Sequence, residues 1–70
     1  MSTPFDVAQH LKHWREKKGL TQEALARKAD ISYNTIIKLE TGGIKDPRVS
    51  TIAKLAQALE ITIDELLSGE

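Results

Sequence analysis

Residues 21–41, TQEALARKADISYNTIIKLET, contain two helical patterns with only three residues between them. Thr21 and Ser32 each occupy a position where a helix cap is favoured. Each has an apolar residue directly before it and another four positions later, which is typical of a hydrophobic staple at the start of a helix. The stretch therefore predicts helices at about 22–29 and 33–41.

The connection between these two helices is short enough to require a steep crossing angle. Ala26 and Ala29 are small and allow a close approach. Asp30 occupies the position where a left-handed backbone is expected, a conformation that aspartate tolerates. Two helices at about 90–120° joined by three or four residues form a helix-turn-helix. We therefore predict this motif at about 22–41.

The first helix is predicted to begin within residues 3–6, TPFD, where a threonine cap is followed by proline and by an aspartate. It should continue to about Lys18, because Gly19 suits the positive φ of a helix end. Its apolar stripe at helical spacing consists of Val7, Leu11 and Trp14.

Two more helices are predicted in the last third of the chain. Thr62 and Glu65 have the spacing of a capping box, which predicts a helix at about 63–68. An apolar stripe predicts a helix at about 49–59, and it consists of Val49, Ile52, Leu55, Ala56 and Leu59. The predicted fold class is all-α, a compact five-helix domain that occupies residues 1–70 as a single unit.

Length and composition exclude several classes of protein. Seventy residues make one domain, near the lower limit at which a chain buries enough apolar surface. The absence of cysteine excludes a disulfide framework and a thiolate metal site. No apolar run approaches the ~18 residues that span a membrane, and the start MSTPFD lacks the segments of a signal peptide. We therefore expect a soluble protein of the cytoplasm.

The charges are unevenly distributed along the chain. The net charge of zero counts against a nucleic-acid partner, because affinity for phosphate is largely electrostatic. However, residues 1–48 carry nine Lys/Arg and six Asp/Glu, whereas residues 49–70 carry one and four. This polarity favours a basic surface that meets an anion and an acidic surface that does not.

The sequence RxxxGLTQEALARKADISYNTIIKLETG, followed by DPRVSTIAKLAQALEITIDELL, resembles the helix-turn-helix proteins of the phage repressor and Cro class, the XRE or Cro/cI-type family. The resemblance extends from Val7 to Leu67. It implies a repressor-type DNA-binding domain in which the 33–41 helix lies in the major groove and its first residues meet base edges.

By position, the resemblance implies that Tyr33, Asn34 and Lys38 contact bases, with Ser32 and Thr35 beside them near the DNA backbone. Asparagine can pair with adenine and lysine can donate to guanine, each for about 1–3 kcal/mol of discrimination. The alternative is a merely solvated helix face.

Ile37 is apolar beside this polar row, which makes a thymine methyl group a candidate partner. The alternative, which we favour, is partial burial against the loop at 42–44.

Further backbone contacts are implied at the ends of the two helices. Gln22 is expected to contact phosphate and to brace the start of the 33–41 helix. Arg15 and Glu40 match a pair that the family joins by a salt bridge, in which the guanidinium can also offer a donor to phosphate. The alternative is two unrelated surface charges.

The loop TGGIKDPR, residues 41–48, is implied to lie along the DNA backbone. Lys45 and Arg48 then become phosphate contacts. Asp46 is acidic on the same loop, and it either caps the turn or repels phosphate.

Other chemistry has weak support. His10 and His13 have metal-ligand spacing of the least specific kind, and a solvated helix surface is the favoured interpretation. Trp14 can stack on a partner or contact a second subunit, but burial in the core is favoured. There is no phosphate-binding glycine loop and no paired carboxylate in a plausible cleft. We expect no catalytic residue, metal or cofactor, and therefore no enzyme.

We expect a sequence-specific transcriptional repressor that binds duplex DNA as a homodimer on a palindromic operator. One short helix covers few base pairs, so useful specificity needs two half-sites about one helical turn apart. Candidate dimer contacts are Ile61, Ile63 and Leu67. The alternatives are an antitoxin that represses its own toxin-antitoxin operon and a protein-interaction module that does not bind DNA.

Overall fold

The computed structural model describes residues 7–69, which form five α-helices and contain no strand. All five predicted helices are confirmed, and every predicted boundary within the described residues agrees to one residue. The predicted start of the first helix at residues 3–6 lies outside them. The helices are α1 (Val7–Lys17), α2 (Gln22–Ala29), α3 (Tyr33–Thr41), α4 (Val49–Leu59) and α5 (Ile63–Ser68).

Side-chain caps begin three of these helices, at the residues that the sequence predicts. The hydroxyls of Thr21, Ser32 and Thr62 accept the backbone N–H three residues later, at 3.0, 3.2 and 3.0 Å. Glu65 completes the capping box, because its Oε1 accepts the backbone N–H of Thr62 at 2.8 Å. Each cap satisfies an amide that the helix itself leaves without an acceptor.

Two short turns rely on residues in the left-handed conformation. Asp30, between α2 and α3, has φ 57° and ψ 48°, as predicted. Glu60, between α4 and α5, has nearly the same conformation, which the sequence did not predict. Both backbone N–H groups donate back into the preceding helix and satisfy its last carbonyls. These turns let the next helix begin within three residues.

The core is apolar throughout and contains the predicted stripe of α1 and, except for its first residue, that of α4. Its fully buried side chains are Leu11, Leu25, Ile36, Leu39, Leu55, Leu59 and Leu66. Trp14 is also buried, as favoured. The prediction for Val49 was wrong, because 79% of this residue is exposed. Val49 is the first residue of α4, and the buried stripe of that helix begins only at Ile52, one turn later.

The helices pack so that α1 lies against both α3 and α5. Further contacts join α2 to α3 and α4, and α4 to α5. None of the helices within residues 7–69 has the length and hydropathy needed to cross a membrane. The arrangement places α3 at one side of α1, with its polar face outward, and the C-terminal helix at another.

Candidate nucleic-acid interface

The outward face of α3 carries a row of polar side chains. Tyr33 is 47% exposed, and Asn34 and Lys38 are also exposed, whereas Ile36 and Leu39 of the same helix are fully buried. In the part of the chain that the structure describes, none of the three polar side chains forms a hydrogen bond or ion pair. Their donors and acceptors are therefore available to a ligand, on a helix held by its opposite face.

The residues beside this row are less available. Ile37 is half-buried. Ser32 uses its hydroxyl to cap α3, and that hydroxyl lies 2.7 Å from the hydroxyl of Thr35, which is half-buried. Any contact of these hydroxyls with a ligand must be shared with the bonds that they already make.

A charged network fixes the far end of α3 to α1. Nε of Arg15 donates to Oε2 of Glu40 at 2.6 Å, and Nη2 donates to Oε1 at 3.0 Å. Only 12% of the Arg15 side chain and 4% of the Glu40 side chain are exposed. The hydrogen bond to Glu40 raises the pKa of Arg15, which keeps the guanidinium charged despite its burial. Such a bidentate pair restrains both distance and orientation.

Gln22 joins the same network at a place the sequence did not predict. Its Nε2 donates to Oε1 of Glu40 at 3.1 Å. The brace therefore reaches the last turn of α3, and the expectation that Gln22 braces the start of that helix was wrong. The contact between Gln22 and Glu40 could not be predicted from the sequence, because it depends on the packing of the end of α3 beside the start of α2.

Arg15 has little freedom to contact anything else. Besides its two bonds to Glu40, its Nη1 donates to the carbonyl oxygen of Leu20 at 2.8 Å. The side chain thereby ties α1, the turn before α2 and the end of α3 together. These bonds favour a positioning role for Arg15, and a phosphate contact stays a prediction.

The loop between α3 and α4 exposes both of its basic side chains. Lys45 and Arg48 are exposed, and so is Asp46. Arg48 is the N-cap residue of α4, and it provides no side-chain cap; the first turn of α4 has no acidic residue either. The uncapped N–H groups favour an anion at this helix start. Asp46 does not cap the helix, so within this loop it remains an exposed acidic charge.

The expectation of a solvated helix surface at His10 was wrong. His10 is half-buried, and its Nδ1 lies 3.1 Å from the carbonyl oxygen of Leu66, whereas His13 is exposed. Residues 7–69 contain no group of three or more His, Cys, Asp or Glu side chains that could hold a metal ion. The sequence contains no signal for the observed contact, because its acceptor is a backbone atom.

The apolar surface near α5 is larger than the sequence suggested. Ile63 is 40% exposed, whereas Ile61 and Leu67 are half-buried and pack against the core. Val49 is the residue that sequence reasoning missed, because its spacing fits the buried stripe of α4. It lies with Ile63 at a shallow cavity of about 180 Å³ that is lined by Val7, Lys45, Asp46, Pro47, Val49, Ile52, Ile63 and Leu67.

Comparison with known proteins gives several relatives of similar sequence. The HTH-type transcriptional activator BcrR of Enterococcus faecalis is 39% identical over 66 residues, which are 94% of this chain and 32% of that protein. RghRB of Bacillus subtilis, an uncharacterized HTH-type transcriptional regulator, is 36% identical over 67 residues, 96% of this chain and 47% of the relative. The chain therefore spans about a third and about half of these two proteins.

A relative of similar size also matches. The uncharacterized HTH-type transcriptional regulator MJ0272 of Methanocaldococcus jannaschii is 38% identical over 60 residues, which are 86% of this chain and 89% of that protein. A family model described as "Helix-turn-helix" matches residues 11–66, which include all of α2, α3 and α4. The chain belongs to the XRE or Cro/cI-type helix-turn-helix family of DNA-binding transcriptional regulators.

Proposed function

We propose that this protein regulates transcription by inserting α3 into the major groove of duplex DNA and recognising base edges there. The observation that carries the proposal is the row of Tyr33, Asn34 and Lys38, which is exposed and without protein partners among the described residues, on a helix held firmly from behind. A helix that presents free polar groups from a rigid support loses little conformational entropy when it binds.

The base contacts follow from the chemistry of this row. The amide of Asn34 can pair with N6 and N7 of adenine, and the ammonium group of Lys38 can donate to O6 or N7 of guanine. Tyr33 contributes a hydroxyl for a base edge or a phosphate. The exposed part of Ile37 can contact a thymine methyl group.

Phosphate contacts on both sides of α3 would fix the register of the domain on DNA. On one side lie Lys45, Arg48 and the uncapped start of α4. The remaining candidates are Gln22, Ser32, Thr35 and Arg15, whose side chains already make internal bonds. We therefore assign the stronger phosphate contacts to the loop and the weaker ones to these four residues.

Two copies of the domain would act together as a homodimer on a palindromic operator. The apolar surface formed by Val49, Ile63 and Leu67, here called the dimer surface, is the part we assign to the contact, and Ile61 stays a predicted dimer contact. A two-fold contact uses the same surface on both copies, so one patch is sufficient. Pairing places the two copies of α3, here called the recognition helices, about one DNA turn apart. The dimer then recognises two half-sites and distinguishes its operator from other DNA more strongly than one copy does.

The proposed sign of regulation is repression. A small domain that occupies an operator excludes other proteins from the same stretch of DNA. Its site of action would be the nucleoid, because the proposed partner is duplex DNA. A reporter gene downstream of the operator should be more active when the protein is removed.

Two other functions compete with this proposal. An antitoxin would bind the same kind of operator and would additionally bind a toxin. A protein-interaction module would leave α3 unused on DNA. The salt dependence of binding separates the last class from the first two, because counterion release weakens DNA binding steeply as salt rises.

Lys45 and Lys54 form a matched pair of variants for this test. Both are exposed lysines, but Lys45 lies on the proposed backbone loop, whereas Lys54 lies within α4 at a hollow that it lines with Lys28 and that no residue of that loop lines. Binding to a fluorescent duplex is measured by anisotropy from about 50 to 200 mM salt. For the native protein we expect log K to fall linearly with log salt, by about 0.9 for each phosphate contact.

Lys45→Ala removes one phosphate contact per domain, so it should weaken binding and reduce the slope by about 1 for each domain bound. Lys54→Ala should leave both the affinity and the slope unchanged. Binding that does not depend on salt, or equal effects of the two variants, would contradict the proposal.

A further inference from the structure

Two side chains of α1 bind the end of α5 through its backbone. Nε1 of Trp14 donates to the carbonyl oxygen of Glu65 at 3.2 Å. Nδ1 of His10 lies 3.1 Å from the carbonyl oxygen of Leu66 and must carry the proton, because a carbonyl only accepts. The carbonyl oxygen of Glu65 also accepts the N–H of Gly69 at 2.9 Å, so the bond from Trp14 uses its second lone pair. The two bonds therefore attach α1 to consecutive residues of α5.

The orientation of α5 depends strongly on these two bonds, because the helix is short. α5 has only six residues, too few to be stable alone, and Leu66 is its one fully buried side chain among the described residues. Leu66, with the half-buried Leu67 beside it, fixes where the helix is attached but restrains rotation about its axis only weakly. Two directional hydrogen bonds to neighbouring carbonyls restrain that rotation.

Close packing at the end of α5 adds to this restraint. Gly69 ends the helix with φ 83°, and a Cβ atom built there would lie 2.7 Å from Cδ2 of His10. The imidazole ring therefore lies directly against the backbone of the last turn. Ring contact and hydrogen bond together hold this turn to α1.

The same part of α1 also holds α3. Arg15 follows Trp14 directly and binds Glu40 of α3 with two hydrogen bonds. Adjacent residues thus attach the recognition helix and the C-terminal helix to one short segment of backbone. We therefore expect a change in how Trp14 holds α5 to move Ile63 relative to α3.

We propose that His10 and Trp14 are positioning residues for dimer formation: they set the rotation of α5, and with it the distance between the two recognition helices of a dimer. Ile63 and Leu67 are four residues apart and share one face of α5. A rotation of α5 therefore moves both of them relative to Val49, the third residue of the dimer surface. The inference rests on the proposed function, because it assumes that this surface joins two copies on DNA.

Trp14→Phe tests the bond to Glu65, because it retains an aromatic ring and removes the N–H donor. We expect the dissociation constant of the dimer, measured by sedimentation equilibrium, to rise about threefold to tenfold. Affinity for a duplex with a single half-site should stay unchanged. On operators whose half-sites are moved apart or together by one base pair, the native protein should prefer one spacing and the variant should discriminate less.

His10 offers a conservative rescue. His10→Asn keeps an N–H donor near the position of Nδ1, and His10→Leu removes it. We expect the leucine variant to weaken the dimer and to discriminate less between spacings, and the asparagine variant to retain most of both properties. Equal behaviour of the two variants would overturn the proposed role of the His10 bond.

Leu25→Val controls for a general loss of stability. Leu25 is fully buried on α2, which packs chiefly against α3 and α4, so the change destabilises the domain and leaves both bonds from α1 to α5 in place. This variant should keep the native preference for one spacing. If it lost that preference as Trp14→Phe does, the effect would be a consequence of stability and the positioning role would be overturned.

Measurements on the native protein distinguish a failure of the proposed function from a failure of the positioning role alone. If it neither dimerises nor shows affinity for any duplex, the proposed function fails, and this inference fails with it. If it dimerises on DNA and Trp14→Phe changes neither the dimer nor the spacing preference, only the positioning role fails.

Discussion

α3 and α5 are similar in their ends and different in how they are held. Each begins at a Ser or Thr whose hydroxyl caps the helix, and each ends at a glycine in the left-handed conformation. α3 is attached to α1 through side-chain groups, the Arg15–Glu40 pair. α5 is attached to α1 through its own backbone carbonyls. The same helix, α1, thus uses an ion pair for one neighbour and bonds to backbone carbonyls for the other.

This difference indicates where rigidity is concentrated in the domain. A bidentate ion pair that is largely shielded from solvent is costly to break, because the remaining charge stays buried. A neutral bond to a carbonyl contributes about 0.5–1.5 kcal/mol. α3 should therefore be the rigid neighbour of α1, and α5 the adjustable one.

Arg15→Met tests the attachment of α3 and should cause the largest loss of stability. The variant keeps an apolar stem of similar length but leaves the carboxylate of Glu40, 4% exposed, without its cation. We expect the free energy of unfolding, measured in urea, to fall by about 3 kcal/mol. The double variant Arg15→Met with Glu40→Gln serves as the control, because it removes both buried charges and should cost less than leaving the carboxylate unpaired. A loss below about 1 kcal/mol for Arg15→Met would mean that the network does not hold α3.

Removing the N-terminal cap of α3 or of α5 should lower stability less, and it tests each helix separately. Ser32→Ala and Thr62→Ala each delete one hydroxyl acceptor, which costs about 1 kcal/mol. Because α3 is rigidly attached, we expect Ser32→Ala to lower the stability of the whole domain. Thr62→Ala should mainly loosen α5, which is seen as faster amide hydrogen exchange confined to residues of that helix. Identical exchange patterns in the two variants would contradict the claim that α3 is held more rigidly than α5.

Much of the fold could be predicted from the sequence because its helices are marked locally. Caps, staples and left-handed turn residues lie within a few positions of each boundary, so Thr21, Ser32 and Thr62 located three helix starts without any knowledge of packing. Glu60 shows the limit of this, because glutamate has no local preference for the left-handed conformation that it adopts.

The candidate site was predicted less completely, and the reason is the kind of partner involved. Arg15 and Glu40 were paired by resemblance, because both members are side chains with recognisable identities. His10 binds a backbone oxygen, which every residue carries, so its partner has no signal in the sequence. Val49 fits the apolar spacing of α4, and only the packing of the first turn shows that it is exposed.

The proposed function requires that α3 recognises DNA bases and that two copies of the domain do so together. Selection of the purified protein on a randomised duplex library, with Asn34→Ala selected in parallel, tests both requirements at once. We predict a two-fold symmetric motif for the native protein, and relaxed preference at one symmetric pair of positions for the variant, by about 1–3 kcal/mol. Enrichment of no sequence at low salt, or the same motif with unchanged preference for both proteins, would contradict the proposed function.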